Sequence, residues 1–536
     1  MKRKMICFSF ILIHLMMTTG CGGDKIDFPE PATEKTVNAC VSNPGTLKIG
    51  STEYAADFGT ITVAENRDKT ASRLIHLPFI RIHGRSKSPR QPIFCFSGGP
   101  GQSNMQWHWE SIPYLLSEYD LVAVGYRGVD GSTVLDCPEV AAAFKGNDDL
   151  LGEESLKTIG RAWNASAERL TAQGIDLDGY TMIECIEDNE AVRKALGYER
   201  INLLSASYGT RVAYLYGLEH PQRINRSVLI GVNPPGRFVW EPKMIDGQLK
   251  RYARLWAQDA TASLRSKDLY ATLRTVLADM PHRWLFFPIN PGKVKVVTFC
   301  LLFQRDTAAM VFDAYIAAAR GDASGLALMS LTYDFVLPSM STWGDLAAKA
   351  VSADFDPDRN YYRAMEQANT PLGSPLTTLL WGPLGFGRWP IGLLPEEFRK
   401  ARPSAVETLL LSGSNDFSTP AEFATRELLP YLKNSKQVIL SEYGHVGDVL
   451  NGKPENTRRI LTSFYKSGMA DTSMNTYVPM DFSVRWGFPL IAKVSLAVII
   501  VLILFLVLLA FWLIKKTRSR KLKNIRPHSP PARRTD

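Results

Sequence analysis

The chain has 536 residues, more than one compact core accommodates, so two or more structural units are expected. Its 45% hydrophobic and 21% charged content is that of a folded protein and excludes a disordered one. The formal charge of +9 sits at the two ends: without Lys2-Arg3-Lys4 and residues 515–536, 50 basic residues face 52 acidic ones, which excludes nucleic acid as a partner.

Lys2, Arg3 and Lys4 lead into an apolar stretch at 5–17 and then the small-residue run Thr18-Thr19-Gly20-Cys21. This is the order of an export signal, assigned to 1–20. A Cys after Gly at that point resembles a bacterial lipoprotein signal with Cys21 as the lipidated residue, although Thr18 stands where such signals carry Leu. Residues 21–45 are polar with Pro and Gly and read as a linker. Paired strands are expected at 58–63 and 74–82, and buried strands at 92–96 and 121–124. The first of those buried strands runs into Ser97-Gly98-Gly99-Pro100-Gly101. Helical spacing covers 188–196, with Gly197 as its stop.

The apolar run 201–204 then breaks at Ser205-Ala206-Ser207-Tyr208-Gly209, and helical spacing resumes from Thr210. A strand turning sharply into a helix on small residues is a nucleophile elbow, with Ser207 at its apex and the Tyr208 N–H at the new helix N-terminus. The usual pattern opens with Gly where this chain has Ser205. A further strand at 227–231 ends in Asn233-Pro-Pro-Gly236. Alternating short strands and helices predict an α/β fold with a mostly parallel sheet over 46–236.

From 237 to 400 the pattern is largely helical, with aromatic clusters at 284–287 and 381–389, and reads as an inserted helical lid. Alternation resumes over 401–469. A strand at 406–411 leads to Asp416, a helix follows at 421–432, a strand at 437–440 leads to His445, and a closing helix spans 456–465. A stalk at 470–493 precedes residues 494–514, which carry no charge. At about 1.5 Å per residue that run crosses a ~30 Å hydrocarbon core. The tail 515–536 is basic, which places it in the cytoplasm and the body in the periplasm or outside the cell.

An activated serine needs a base, and the base needs an orienting acid. Ser207, Asp416 and His445 occur in the order serine, acid, histidine, each directly after an expected strand, so the sheet brings them to one edge. An N–H of Gly98 or Gly99, together with that of Tyr208, would form the oxyanion hole. The seven cysteines have no Cys-x-x-Cys spacing and no metal pattern, and no cofactor is implied.

These residues carry a family resemblance. Phe58-Gly59 with Val63, Gly98-Gly-Pro-Gly-Gln-Ser103, Tyr126-Arg-Gly-Val-Asp-Gly-Ser132, Ser207-Tyr-Gly209, Asp416 before Thr419-Pro420, and Gly444-His445 resemble the prolyl iminopeptidase and tripeptidyl aminopeptidase family of α/β-hydrolase serine peptidases. The match covers about 50–235 and 400–465 and fades in the lid. Ser97 replaces the His that usually opens the oxyanion motif, and Gly125-Tyr126-Arg127-Gly128 replaces Asp-Gln-Arg-Gly; both departures bear on substrate class. The resemblance implies an α/β-hydrolase fold and an exported, membrane-anchored aminopeptidase that releases N-terminal proline or short peptides through an acyl-enzyme. It also implies a Cys137–Cys185 disulfide, since related exported peptidases carry a similar pair. Two readings stand beside it: a carboxylesterase acting on small esters, and a hydrolase-fold binding protein without turnover. Glu241, Asp246, Asp334 and Glu366 are the lid carboxylates available to hold a substrate's amino terminus.

Overall fold

Nine strands form one sheet in the order β1-β2-β3-β5-β4-β6-β7-β10-β11. They are β1 (Cys40–Ile49), β2 (Thr52–Ala64), β3 (Leu74–Ile82), β4 (Arg90–Phe96), β5 (Tyr119–Val124), β6 (Ile201–Ala206), β7 (Ile224–Ile230), β10 (Glu407–Gly413) and β11 (Ser435–Leu440). Short strands β8 (Arg283–Trp284) and β9 (Phe287–Pro288) pair separately as a hairpin. The computed structural model describes residues 26–31, 36–145 and 148–523. The export signal, Cys21 and the end of the tail lie outside the described residues.

The sheet is antiparallel from β1 to β5 through β2 and β3, and parallel from β5 through β4, β6, β7 and β10 to β11. Its centre is apolar on both sides, as a parallel sheet covered by helices requires. Along β4, Phe94 and Phe96 enter the core shared with the lid, while Ile93 and Cys95 enter the core on the opposite face. The period of two in strand side chains does this sorting.

The second half of the core resumes at β10, and both halves contribute neighbouring strands β7 and β10, so the insertion leaves the sheet continuous. Between them the lid is built of helices, among them Pro242–Gln258, Pro291–Leu301, Arg305–Ala319, Ser324–Val336, Trp343–Asp354 and Pro375–Trp381. Two expectations need correcting. The strand β1 starts at Cys40, inside the expected linker; most of its side chains are exposed, and pairing with β2 holds it. The expected helix at 421–432 is broken into Ala421–Phe423, a wide π-helical turn over Ala424–Leu428 and a 3₁₀ turn over Leu429–Tyr431.

The residues before the membrane helix are docked on the body. Glu442 accepts from the Met480 N–H at 2.6 Å and from the Tyr477 hydroxyl. Phe482 packs edge-on against Trp256 at 5.1 Å. The last helix, Phe488–Lys523, begins inside the expected stalk. Gly325 makes room for it: a Cβ there would stand 3.0 Å from the Pro489 ring. Lys493 then pairs with Asp322 of the lid at 2.6 Å. Residues Phe488–Thr517 form a stretch long and apolar enough to cross a bilayer, with none of its most apolar window buried in the body, which fits a membrane anchor.

Candidate active site

The elbow is as sharp as the sequence implies. Ser207 separates β6 from the helix Tyr208–Glu219 and adopts φ 52°, ψ −121°, a region non-glycine residues rarely occupy. Its surroundings hold it there. The Ser207 N–H donates to Ile230 O at 2.9 Å, and Thr210 Oγ1 donates to Ser207 O at 2.5 Å. Gly209 has to be glycine, because a Cβ would stand 2.4 Å from Phe96 O and 2.6 Å from Ser97 O. Ser205 is accommodated because its hydroxyl donates to Val228 O of β7 at 2.9 Å, leaving no buried polar group unpaired.

Asp416 follows β10 and is fully buried. Its Oδ1 accepts from the Ser418 and Thr419 N–H groups at 2.9 and 2.7 Å. Its Oδ2 accepts from Thr419 Oγ1 at 2.8 Å and lies 2.7 Å from His445 Nδ1. A proton on Nδ1 directed at the carboxylate leaves Nε2 as the basic nitrogen. His445 follows β11; its backbone N–H donates to Phe303 O of the lid at 2.7 Å, and its ring lies edge-on to Phe303. The imidazole rests on Gly231, where a Cβ would stand 2.9 Å from Cε1. Gly231 directly follows Ile230, the acceptor of the Ser207 N–H, so the Ser207 backbone and the His445 ring lie against adjacent residues of one strand end.

The loop after β4 completes the site. The Ser97 N–H donates to Asn104 Oδ1 at 2.7 Å, and the Asn104 amide donates to Cys95 O and Val124 O at 2.9 and 2.8 Å, pinning the loop to two strand ends. Ser97, which replaces the family's His, donates from its hydroxyl to Ser103 O at 3.0 Å. Gly98 lies against Ser207, with a Cβ there only 3.2 Å from Ser207 Cβ. Gly99, at φ 126°, and Tyr208 both line a cavity of about 440 Å³ that opens on Ser207. Backbone N–H groups in this position can hold an oxyanion.

The cavity is roofed by the lid and mostly apolar, with Phe238, Trp240, Phe303, Trp343, Leu376 and Trp381 in its walls. Of the aromatic clusters read from the sequence, Trp381 lines it; Trp389 instead packs on Trp163, and Trp284 and Phe287 stack on each other in the β8–β9 hairpin. Phe238, Trp240, Phe303 and Trp343 carried no distinguishing signal. No carboxylate is among the described lining residues. The four expected anchors are engaged elsewhere: Glu241 with Arg359, Asp246 with Lys250, and Asp334 with Lys293, while Glu366 borders a separate surface depression. Cys300 lines the cavity, but burial pushes its thiol up to about 12, which keeps it protonated and unreactive at neutral pH.

The expected Cys137–Cys185 disulfide is absent, and both cysteines are free, buried thiols. They serve different neighbourhoods. Cys137 directs its thiol to Leu135 O at 3.6 Å, beside the helix Glu153–Ala172. Cys185 lies on the helix Met182–Ala195 near the charges of Lys349, Asp188 and Arg127. Burial raises both, Cys137 to about 12 and Cys185 to about 11. Among the described residues no cluster of His, Cys, Asp or Glu is arranged to hold a metal ion.

Two buried ion pairs flank the site; Arg127 stands in a motif read from the sequence, but neither pairing was. Arg127 is fully buried and donates to both oxygens of Asp188, at 2.7 and 2.6 Å. Lys349 pairs with Asp345 on one face of the lid helix Trp343–Asp354, both fully buried. Burial pushes the Asp345 carboxyl up and works against charge on Lys349, which Asp345 nevertheless holds above the ordinary lysine value.

Comparison with known proteins places this geometry. A family model described as alpha/beta hydrolase fold matches residues 91–447. Tripeptidyl aminopeptidase of Streptomyces lividans is 25% identical over 434 residues, covering 73% of this chain and 78% of that protein. Serine protease Hip1 of Mycobacterium bovis is 29% identical over 252 residues, covering 44% and 47%. Putative hydrolase YuaR of Escherichia coli is 27% identical over 165 residues, covering 30% and 31%.

Proposed function

Because the chain belongs to the α/β-hydrolase fold family, we propose that it is a membrane-anchored serine hydrolase acting through an acyl-enzyme. The observation that carries this is the strained Ser207 and an Asp416–His445 pair at 2.7 Å held against the same Ile230-Gly231 strand end. Ser207 Oγ attacks the carbonyl carbon while His445 Nε2 takes its proton. Asp416 keeps the imidazole in the required tautomer and stabilises its cation. The N–H groups of Gly99 and Tyr208 hold the developing oxyanion, each typically worth a factor of ~10²–10³. The leaving group departs with the proton from His445, and water repeats the sequence to release the acid.

For the substrate, the first reading is the free N-terminus of a peptide, cleaved to release proline or a short peptide. Its support is the similarity to a tripeptidyl aminopeptidase and the roofed cavity of about 440 Å³, a size suited to a chain end and not to a folded chain. The second reading is an acyl ester. The cavity favours it in one respect: no described lining residue is a carboxylate that could pair with an ammonium group. Peptidyl amides bearing a free or an acetylated N-terminus, compared with a short-chain p-nitrophenyl ester, separate the two. For an aminopeptidase, acetylation lowers kcat/KM at least about tenfold, as loss of a charge-assisted contact does. Equal rates with and without acetylation, or turnover of the ester alone, establish the ester reading instead.

The basic residues after the span, beginning with Lys515 and Lys516, support a cytoplasmic tail and an extracytoplasmic body. Protease added to the outer face of sealed cells stripped of outer barriers is then expected to digest the body and spare a C-terminal epitope. Loss of that epitope from outside would reverse the topology.

A further inference from the structure

The lid does more than roof the cavity. Its segment from Met340 to Lys349 grips the loop that presents Gly99. The Gly101 N–H donates to Asp345 Oδ2 at 3.0 Å, and the Thr342 N–H donates to Gly101 O at 2.9 Å. Ser341 Oγ donates to Pro100 O at 3.3 Å, and the Gln102 side-chain amide donates to Met340 O. Gly101, at φ 82°, has no room for a side chain, since a Cβ would stand 2.1 Å from Ser341 Oγ. On the other side, Lys349 Nζ donates to Arg127 O at 3.1 Å as well as to Asp345. One buried pair on one lid helix thus ties together two core loops, those following β4 and β5.

Burying two ions is costly, and well-packed apolar side chains usually serve packing as well or better. Both polar heads here are spent on backbone groups of the loops beside the nucleophile. We infer that Asp345 and Lys349 are positioning residues that set the place of the Gly99 N–H, so that the oxyanion hole is complete only with the lid helix seated. The inference rests on the serine-hydrolase reading above.

Two double variants of the full-length protein in detergent isolate the contact. D345N/K349M removes both charges and keeps an amide oxygen able to accept from the Gly101 N–H. D345A/K349M removes the charges and the acceptor. With p-nitrophenyl butyrate as probe, kcat of D345A/K349M is expected to fall about 10- to 100-fold below that of D345N/K349M, with KM within about twofold, because a misplaced donor fails the transition state and not the ground state. Equal kcat values in the two overturn the inference. Should neither fold, the single variants D345N and D345A are compared in the same way; a lower kcat of D345A at unchanged KM supports the inference and equal values overturn it. Failure of the underlying reading looks different: the wild-type activity would then survive Ser207→Ala.

Discussion

Ser207→Ala is expected to abolish labelling by a fluorophosphonate probe and to lower turnover by about 10⁶-fold, the scale seen when the nucleophile of such a triad is removed. Alanine cannot form the acyl-enzyme, so neither His445 nor the oxyanion donors have a nucleophile to assist. The fold is expected to survive. Ser207 is held through its backbone, by its N–H on Ile230 O and its carbonyl under Thr210, and both contacts persist without the hydroxyl. Unchanged cooperative unfolding together with lost labelling is therefore the expected pair of results. Full labelling of a folded Ser207→Ala protein would show that another residue is the nucleophile. Cys300 is a poor candidate for that role because its thiol is pushed up to about 12.

Arg127→Met is expected to destabilise the protein by about 3 to 5 kcal/mol, the usual cost of leaving a buried charge without its partner. Besides Asp188, the Arg127 guanidinium serves Glu65 O at 2.6 Å and Gly179 O at 2.5 Å, so its loss strips several buried acceptors at once. Arg67, 2.7 Å from Asp188 Oδ1, remains and keeps the effect toward the lower end. The pH dependence follows from Asp188. Burial alone would raise its carboxyl, but Arg127 and then Arg67 outweigh that and hold it below the ordinary aspartate value. A carboxyl depressed in the folded state contributes stability above its unfolded value, near ~3.9, and that contribution is lost as the pH falls through the folded value. Arg127→Met removes the larger of the two opposing charges, so the deficit is expected to shrink as the pH falls below ~3.9, where the wild-type contribution is itself lost, and to be smaller near pH ~3 than at pH 7.5. Urea unfolding in detergent measures both; a shift equivalent to less than about 1 kcal/mol at pH 7.5 would count against a structural role for the pair.

How far the site could be read ahead depended on whether its signal was local. Ser207, Asp416 and His445 could be singled out because each stands at or within a short loop after a strand of the parallel part of the sheet, which delivers such strand ends to one edge. The Gly98-Gly99-Pro100-Gly101 loop was legible for the same reason. Strand β1 was not, since its mostly exposed residues carry no apolar alternation and only the ladder to β2 makes it a strand. Asp345 and Lys349 stand four apart on a helix, the spacing of an ordinary solvent-facing ion pair, and nothing local distinguishes the buried case. The Cys137–Cys185 pairing, taken from the family resemblance, failed because the two thiols lie in different neighbourhoods of the fold.

The sequence by itself determined the alternating core, the order of the three site residues at their strand ends, and the long uncharged helix at residues 494–514. Each of these is written in a window of a few residues, as the period of a strand, a strand end or an unbroken apolar run. Only the tertiary structure decided what lines the cavity beside Ser207. Phe238, Trp240, Phe303, Trp343 and Trp381 come from separate segments of a helical insertion, and the candidate carboxylates of that insertion turn away to their own basic partners or to its surface. The character of the cavity is set by how those helices pack against one another and against the loop bearing Gly99. Such packing depends on the joint fit of residues far apart in sequence, which no short window contains.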